Sequence, residues 1–380
     1  MGHVRALARR SFPLALLLMT AARPTSAAGL PNADAAAVAP VGQPEQGAMK
    51  NAITDIPGVK VGHFENLSAL RGVTVVLTED GAEAGVDVRG SAPGTRETDL
   101  LNPLNLVQRV NAVVLSGGSA YGLGSAQGVM DYLEARGKGY VVGPNQVVPI
   151  VPAAILFDLG VGAFDVRPTA DWGRQAAMNA SDGPPAQGNV GAGAGATVGK
   201  MPRGLPLKGG LGTASLDLGN GVMVGAIVAV NGVGDVVNPR TGHFYAEPFV
   251  AGPLPSLPAP VNTGLAEPDA DPVVVGDLPP VATNTTIAVV ATNGRFSKTE
   301  MTKIAQMAHD GMARAIRPAH TMFDGDTVFA VSAGGDARID ADVSAVGAGA
   351  ADALSQAIVN AILNADSIPG FPSFKERLGK

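Results

Sequence analysis

From Ile53 onward the chain alternates short apolar runs with glycine-rich or polar breaks. Asp55-Ile56-Pro57-Gly58 reads as a turn, residues 59–63 as a short strand, and 72–77 as a β-branched strand. Another apolar strand at 111–115 runs into Ser116-Gly117-Gly118-Ser119-Ala120-Tyr121-Gly122. Beyond it, Leu123, Val129, Met130 and Leu133 predict a helix ending near Ala135. The apolar run 147–159 is interrupted by Pro149 and Pro152, which predicts a bent or edge element. Residues 216–230 predict two strands joined at Gly219-Asn220-Gly221. Between 247 and 282 nine prolines and several acids replace all periodicity, the texture of an exposed loop or linker. A strand at 286–291 follows, and Ser297-Lys298-Thr299-Glu300 is a capping box. The helix it opens carries Met301, Ile304, Ala305, Ala308, Met312 and Ala315 on one stripe until Pro318 stops it. Residues 327–332 predict a strand, and 343–363 a long helix of small residues that must pack closely. Strands and helices without a strict βαβ rhythm favour a layered α+β architecture.

The N-terminus follows a different pattern. Arg5, Arg9 and Arg10 precede an apolar run at 12–19, and Thr25, Ala27 and Ala28 supply small residues after it. Residues 1–28 therefore read as a signal peptide, too short for a membrane span, and Arg9-Arg10-Ser11-Phe12 resembles a twin-arginine signal. Residues 29–50 form a loose leader, and the remainder is expected in the periplasm or outside the cell, with no membrane association after signal removal. Cleavage takes four of the 27 basic residues and none of the 33 acidic ones, leaving an acidic protein with no footprint for nucleic acid. Gly 50 and Pro 29 fall short of a low-complexity composition, and 46% apolar residues supply a core. Length alone allows two domains or one large layered one. With no cysteine, thiolate chemistry is excluded, and the five histidines show no metal-ligand spacing, so neither metal nor cofactor is expected. His309, on a polar helical face, reads as structural or solvated.

Two motifs fail on spacing. Residues 193–200 look like a phosphate loop, but Ala194 stands where glycine is needed and Met201 follows the lysine. Ser119 suggests a hydrolase elbow, but Tyr121 occupies the second glycine position. The turn at Gly117-Gly118-Ser119 is better read as presenting amides to a pocket, with Tyr121 beside it. What remains is Asn284-Thr285-Thr286-Ile287, where the proline-rich stretch ends in a hydroxyl residue heading an apolar strand. Once the bond before it breaks, Thr285 holds both a nucleophilic hydroxyl and an α-amine of ordinary pKa near ~8 to take its proton.

This tetrapeptide, together with His320-Thr321-Met322-Phe323-Asp324-Gly325-Asp326-Thr327-Val328-Phe329, resembles the L-aminopeptidase/D-esterase family of self-cleaving hydrolases, which includes β-aminopeptidases and nylon-oligomer hydrolases. Supporting segments lie at 53–59, 115–123, 193–200 and 228–234. The resemblance implies one four-layer αββα sandwich made of an α chain (51–284) and a β chain (285–380), assembled as a tetramer. It implies self-cleavage between Asn284 and Thr285, with Thr285 as nucleophile, Asp324 and Asp326 as its paired acids, Lys200 as a neighbouring ammonium and Asn231 as an oxyanion donor. Taken alone, Asp324-Gly325-Asp326 is equally a turn before a strand, Lys200 a solvated lysine and Asn231 a turn residue, with Lys208 and Asn238 as nearby competitors. Phe157 stands where some members carry a tyrosine, so a hydroxyl is missing from that part of the pocket. The function implied is hydrolysis of amide, and also ester, bonds next to a free amino group. Peptide amino ends, D-amino-acid amides, β-peptides and synthetic oligoamides all stay open as substrates. A catalytically silent small-molecule-binding protein with the same fold is the alternative.

Overall fold

The computed structural model describes residues 49–201, 204–258 and 284–379. The signal segment, nearly all of the leader and residues 259–282 of the proline-rich stretch lie outside them. In chain order the strands are β1 (Lys60–Asn66), β2 (Arg71–Val88), β3 (Thr95–Arg96), β4 (Arg109–Ser116), β5 (Tyr140–Gly143), β6 (Gln146–Val148), β7 (Ala153–Ile155), β8 (Thr197–Val198), β9 (Leu207–Lys208), β10 (Gly210–Asp217), β11 (Met223–Asn231), β12 (Thr285–Thr292) and β13 (Thr327–Ser332). The helices are α1 (Ser125–Glu134), α2 (Ala170–Met178), α3 (Lys298–Ala315), α4 (Val343–Asn364) and α5 (Phe374–Arg377).

The largest sheet runs β10-β11-β12-β13-β2-β4-β7-β3, with β1 also on β2. Strand β2 belongs to both of its halves. Residues 71–77 pair with β1 and β4, residues 83–88 pair with β13, and the register slips between Leu77 and Ala82. A bulge of this kind bends a strand and raises its twist. The period-2 alternation then sorts side chains into three cores. Ile227, Ala229, Ile287, Val289, Phe329 and Val331 face Val76, Val113, Leu115 and Ala154 between the two halves of the sheet. Their neighbours Val228, Val230, Ala288, Val290, Val328 and Ala330 turn the other way, under α3 and α4. Val73, Val75, Ala112 and Val114 pack under α1 and α2. Helix, sheet, sheet, helix is the layering of the αββα sandwich.

Local chemistry accounts for the outer layers. Ser297 caps α3, accepting from the Glu300 amide while the Glu300 carboxylate accepts from Ser297 N–H at 2.8 Å. The stripe from Met301 to Ala315 is buried as its spacing predicts. Helix α4 is long and apolar enough to cross a membrane, but it is buried against β10 and β11. Small residues let it approach: a Cβ on Gly311 of α3 would stand 2.0 Å from the Ala351 carbonyl oxygen. The run 147–159 divides at its prolines into β6 and β7, and β7 lies next to the sheet's edge strand. His309 takes the structural of its two expected roles. It is buried, its Nε2 3.1 Å from the Asp87 carbonyl oxygen, because the polar side of α3 rests on the end of β2.

Candidate active site

Strand direction brings the separated motifs to one end of the sheet. β11 and β12 are antiparallel, so the last residue of β11, Asn231, lies beside the first of β12, Thr285. β12 and β13 are parallel, so the segment entering β13, Asp324-Gly325-Asp326, arrives at the same place. From the other half of the sheet, the parallel strands β4 and β7 end at Ser116 and Ile155, delivering the glycine turn and Phe157. Between the layers is a cleft of about 240 Å³ lined in part by Pro93, Ser119, Ile155, Phe157, Asn284, Thr285 and Phe323.

Thr285 is buried and has φ 143°, a region of backbone space that is essentially glycine's and costs a β-branched residue on the order of 1–3 kcal/mol. Its Oγ1 accepts from Gly325 N–H at 3.0 Å. Only glycine fits there, since a Cβ on Gly325 would stand 2.9 Å from that hydroxyl oxygen and 2.6 Å from the Ala92 carbonyl oxygen. The carbonyl of Asn284 accepts from Phe157 N–H at 3.4 Å. The two acids act through the main chain: Asp326 accepts from Thr286 N–H (2.7 Å) and from His320 N–H (3.0 Å), and its Oδ2 meets His320 Nδ1 at 2.8 Å. Asp324 accepts from Val233 N–H and Thr321 N–H at 3.1 Å each and from the Thr321 hydroxyl at 2.5 Å. Burial, helped by the neighbouring charge of Asp326, lifts the Asp324 carboxyl to about 6.

Lys200 and Asn231 are brought together. The Lys200 ammonium donates to the Asn231 carbonyl oxygen at 3.1 Å and to its Oδ1 at 3.2 Å. Desolvation lowers Lys200 to about 7, opposed by the charges of Asp324 and Asp158. Asn231 Nδ2 donates to the Phe157 carbonyl oxygen at 3.0 Å, and the Phe157 main-chain N–H faces the Asn284 carbonyl. The competitors sit elsewhere. Lys208 donates to the carbonyls of Gly193 and Gly209, and Asn238 closes a turn by accepting from Arg240 N–H. Ser119 and Phe157 line the cleft, whereas Tyr121 is turned toward solvent with the Arg167 guanidinium 3.8 Å from its ring centroid. At Phe157 the backbone, not the absent hydroxyl, meets the site, and side-chain type gives no signal for it. Asp158 does carry a signal in the sequence: it is the only charge in the run 147–159, and a buried acid there calls for a partner.

The model of peptidase family S58 matches residues 51–375. The chain belongs to this family. Among S58-like relatives, an uncharacterised aminopeptidase of Mycobacterium leprae is 45% identical over 355 residues, covering 85% of this chain and 93% of that protein. A 6-aminohexanoate-oligomer endohydrolase of a Kocuria species is 32% identical over 322 residues, covering 81% and 84%. Among solved structures, the L-aminopeptidase D-Ala-esterase/amidase of Ochrobactrum anthropi, described as a variant of the Ntn hydrolase fold, superposes with TM-score 0.61 at 21% identity over 85% of this chain and 88% of that one. A β-aminopeptidase of a Burkholderia species gives 0.58 at 24% identity over 83% and 87%. An S58 member with these relatives is a hydrolase of the aminopeptidase and amidase class.

Proposed function

We propose that the chain is an exported, self-processing amidohydrolase. It cuts its own Asn284–Thr285 bond, then uses the freed Thr285 to hydrolyse amide, and also ester, bonds next to a free amino group in small peptide or amide substrates. One observation carries this reading: at the head of β12 a strained threonine, its hydroxyl held by Gly325 N–H, follows a carbonyl that faces the Phe157 N–H. Thr285 Oγ attacks the Asn284 carbonyl carbon, and the developing oxyanion is met by the Phe157 N–H. The C–N bond breaks as the nitrogen takes up the proton the hydroxyl gives up, and strain at Thr285 is released. Water then hydrolyses the ester, leaving the Asn284 carboxylate and a free Thr285. In turnover the new α-amine accepts the hydroxyl proton, an acyl-enzyme forms as the substrate amine leaves, and water resolves it. The names of the relatives, aminopeptidase and oligomer endohydrolase, support amide hydrolysis. The signal segment supports export to the periplasm or beyond, and the close-packing small residues suit a tetramer of αβ units.

Mass spectrometry of the purified protein tests this directly. Two chains are expected, the smaller running from Thr285 to Lys380; a single chain that stays uncut on long incubation overturns self-processing and favours the silent binding protein.

The rate of self-cleavage is expected to peak over a narrow pH range. Asp324 accepts only from donors, so it acts as a carboxylate; below about 6 it takes up a proton, its interactions weaken and the rate falls. Lys200 acts as a donor to Asn231; above about 7 it loses its charge and the rate falls again. Initial rates of appearance of the smaller chain between about pH 5 and about pH 8 check this, and a flat profile refutes it.

A further inference from the structure

Asp158 and Arg71 form an ion pair with no exposed side-chain area on either partner, Arg71 Nε standing 3.6 Å from Asp158 Oδ1. Burying such a pair costs several kcal/mol per ion in desolvation, so stability alone is a weak reason for it. Its surroundings indicate another. Asp158 Oδ1 accepts from Gly118 N–H at 2.8 Å, which fixes a turn where Gly118 and Ser119 have φ 85° and 54° and where Ser119 and Ala120 line the cleft. Arg71 Nη1 donates to the carbonyls of Leu70 and Val161, at 2.8 and 2.6 Å, gripping the chain on the far side of Asp158. Phe157 immediately precedes Asp158, with Asn284 on its N–H and Asn231 Nδ2 on its carbonyl, and on its other side Leu156 exchanges main-chain bonds with Ser116 and Ser119. The carboxylate is wedged under two glycines: a Cβ on Gly117 or Gly195 would stand 2.5 or 2.6 Å from Oδ2.

We propose that Arg71 and Asp158 are a positioning pair, clamping the 156–158 segment against the glycine turn so that the Phe157 main-chain N–H stays aimed at the reacting carbonyl. The inference rests on Thr285 being the nucleophile. Asp158 also reaches Lys200 electrostatically. The carboxylates whose charge favours the Lys200 ammonium are Asp324 and Asp158, and the cations facing Asp158 are Arg71 and Lys208.

Asp158→Asn retains the shape and an acceptor for Gly118 while removing the charge. It should slow self-cleavage and lower kcat by about 10²-fold with KM little changed, the loss expected when a reacting geometry slips by about an ångström. The alkaline limb of the pH profile should move to lower pH, because a charge that holds the Lys200 proton is gone. The double variant Arg71→Met with Asp158→Asn leaves neither charge unpaired but removes the donor to the Leu70 and Val161 carbonyls, so its Tm should fall below the parent's while its cleavage, assayed well below that Tm, stays slow; it is measured in place of the single variant if that one does not fold. A folded double variant with the parental rate, or a folded Asp158→Asn with unchanged rate and profile, overturns the proposal. A parent protein that never cleaves at Thr285 instead overturns the reading on which it rests.

Discussion

Replacing Thr285 by alanine should leave one uncut chain whose amidase activity is reduced by several orders of magnitude, the scale seen when a covalent nucleophile is removed. The change deletes the attacking oxygen and little else. Every ladder bond of β12 to β11 and β13 is made by the main chain, so the strand survives. What is lost structurally is the acceptor for Gly325 N–H, a buried donor whose orphaning costs about 1–3 kcal/mol. Thr285→Ser retains both the attacking oxygen and that acceptor, and should still cut. The pair of variants therefore separates chemistry from stability. Electrophoresis after purification and after a day's incubation is sufficient, and an alanine variant that still yields a chain beginning at residue 285 refutes the assignment.

What the sequence made legible follows the range of the forces involved. The hairpin at Gly219-Asn220-Gly221, the capping box at Ser297 and the stripe of α3 are set by neighbours within a few residues, and each is found at its expected place. Strand β2 was visible only as far as Leu77, because Glu79, Asp80, Gly81 and Glu83 break the apolar pattern where the strand bulges and crosses between the halves of the sheet. Helix α2 has no apolar stripe in the sequence, since its short buried face consists of Gly173, Ala176 and Ala177. The site was legible by resemblance and not by periodicity. Lys200, Asn231 and Asp324 come from three distant segments, and only strand order makes them neighbours. Side-chain type also carries no signal for the amides of Phe157 and Gly325, which donate to the Asn284 carbonyl and the Thr285 hydroxyl.

Asp326→Asn should slow self-cleavage by about 10²-fold and destabilise the fold by about 1–3 kcal/mol, despite being nearly isosteric. The reason is a count of donors. One carboxylate oxygen is occupied by Thr286 N–H and the other by His320 N–H, both backbone groups unable to turn. A carboxylate accepts on both sides; an asparagine must set its NH₂ against one of them, whichever way the amide is flipped. If it repels Thr286, the second residue of β12 shifts and carries Thr285 away from Gly325. If it repels His320, the loop that carries Asp324-Gly325 into β13 is loosened. Either displacement moves the hydroxyl relative to the Asn284 carbonyl, and geometry of this kind is where rate is lost most steeply. A second readout separates this from general loosening. The charge of Asp326 is one of the causes that hold the Asp324 carboxyl up at about 6, so its removal should let Asp324 ionise more readily. The acid limb of the rate profile should then move to lower pH, even as the maximum rate drops. An Asp326→Asn protein that cleaves slowly with its acid limb unmoved would show that Asp324 does not govern the limb, and one that cleaves at the parental rate would show that the clasp on Thr286 is dispensable.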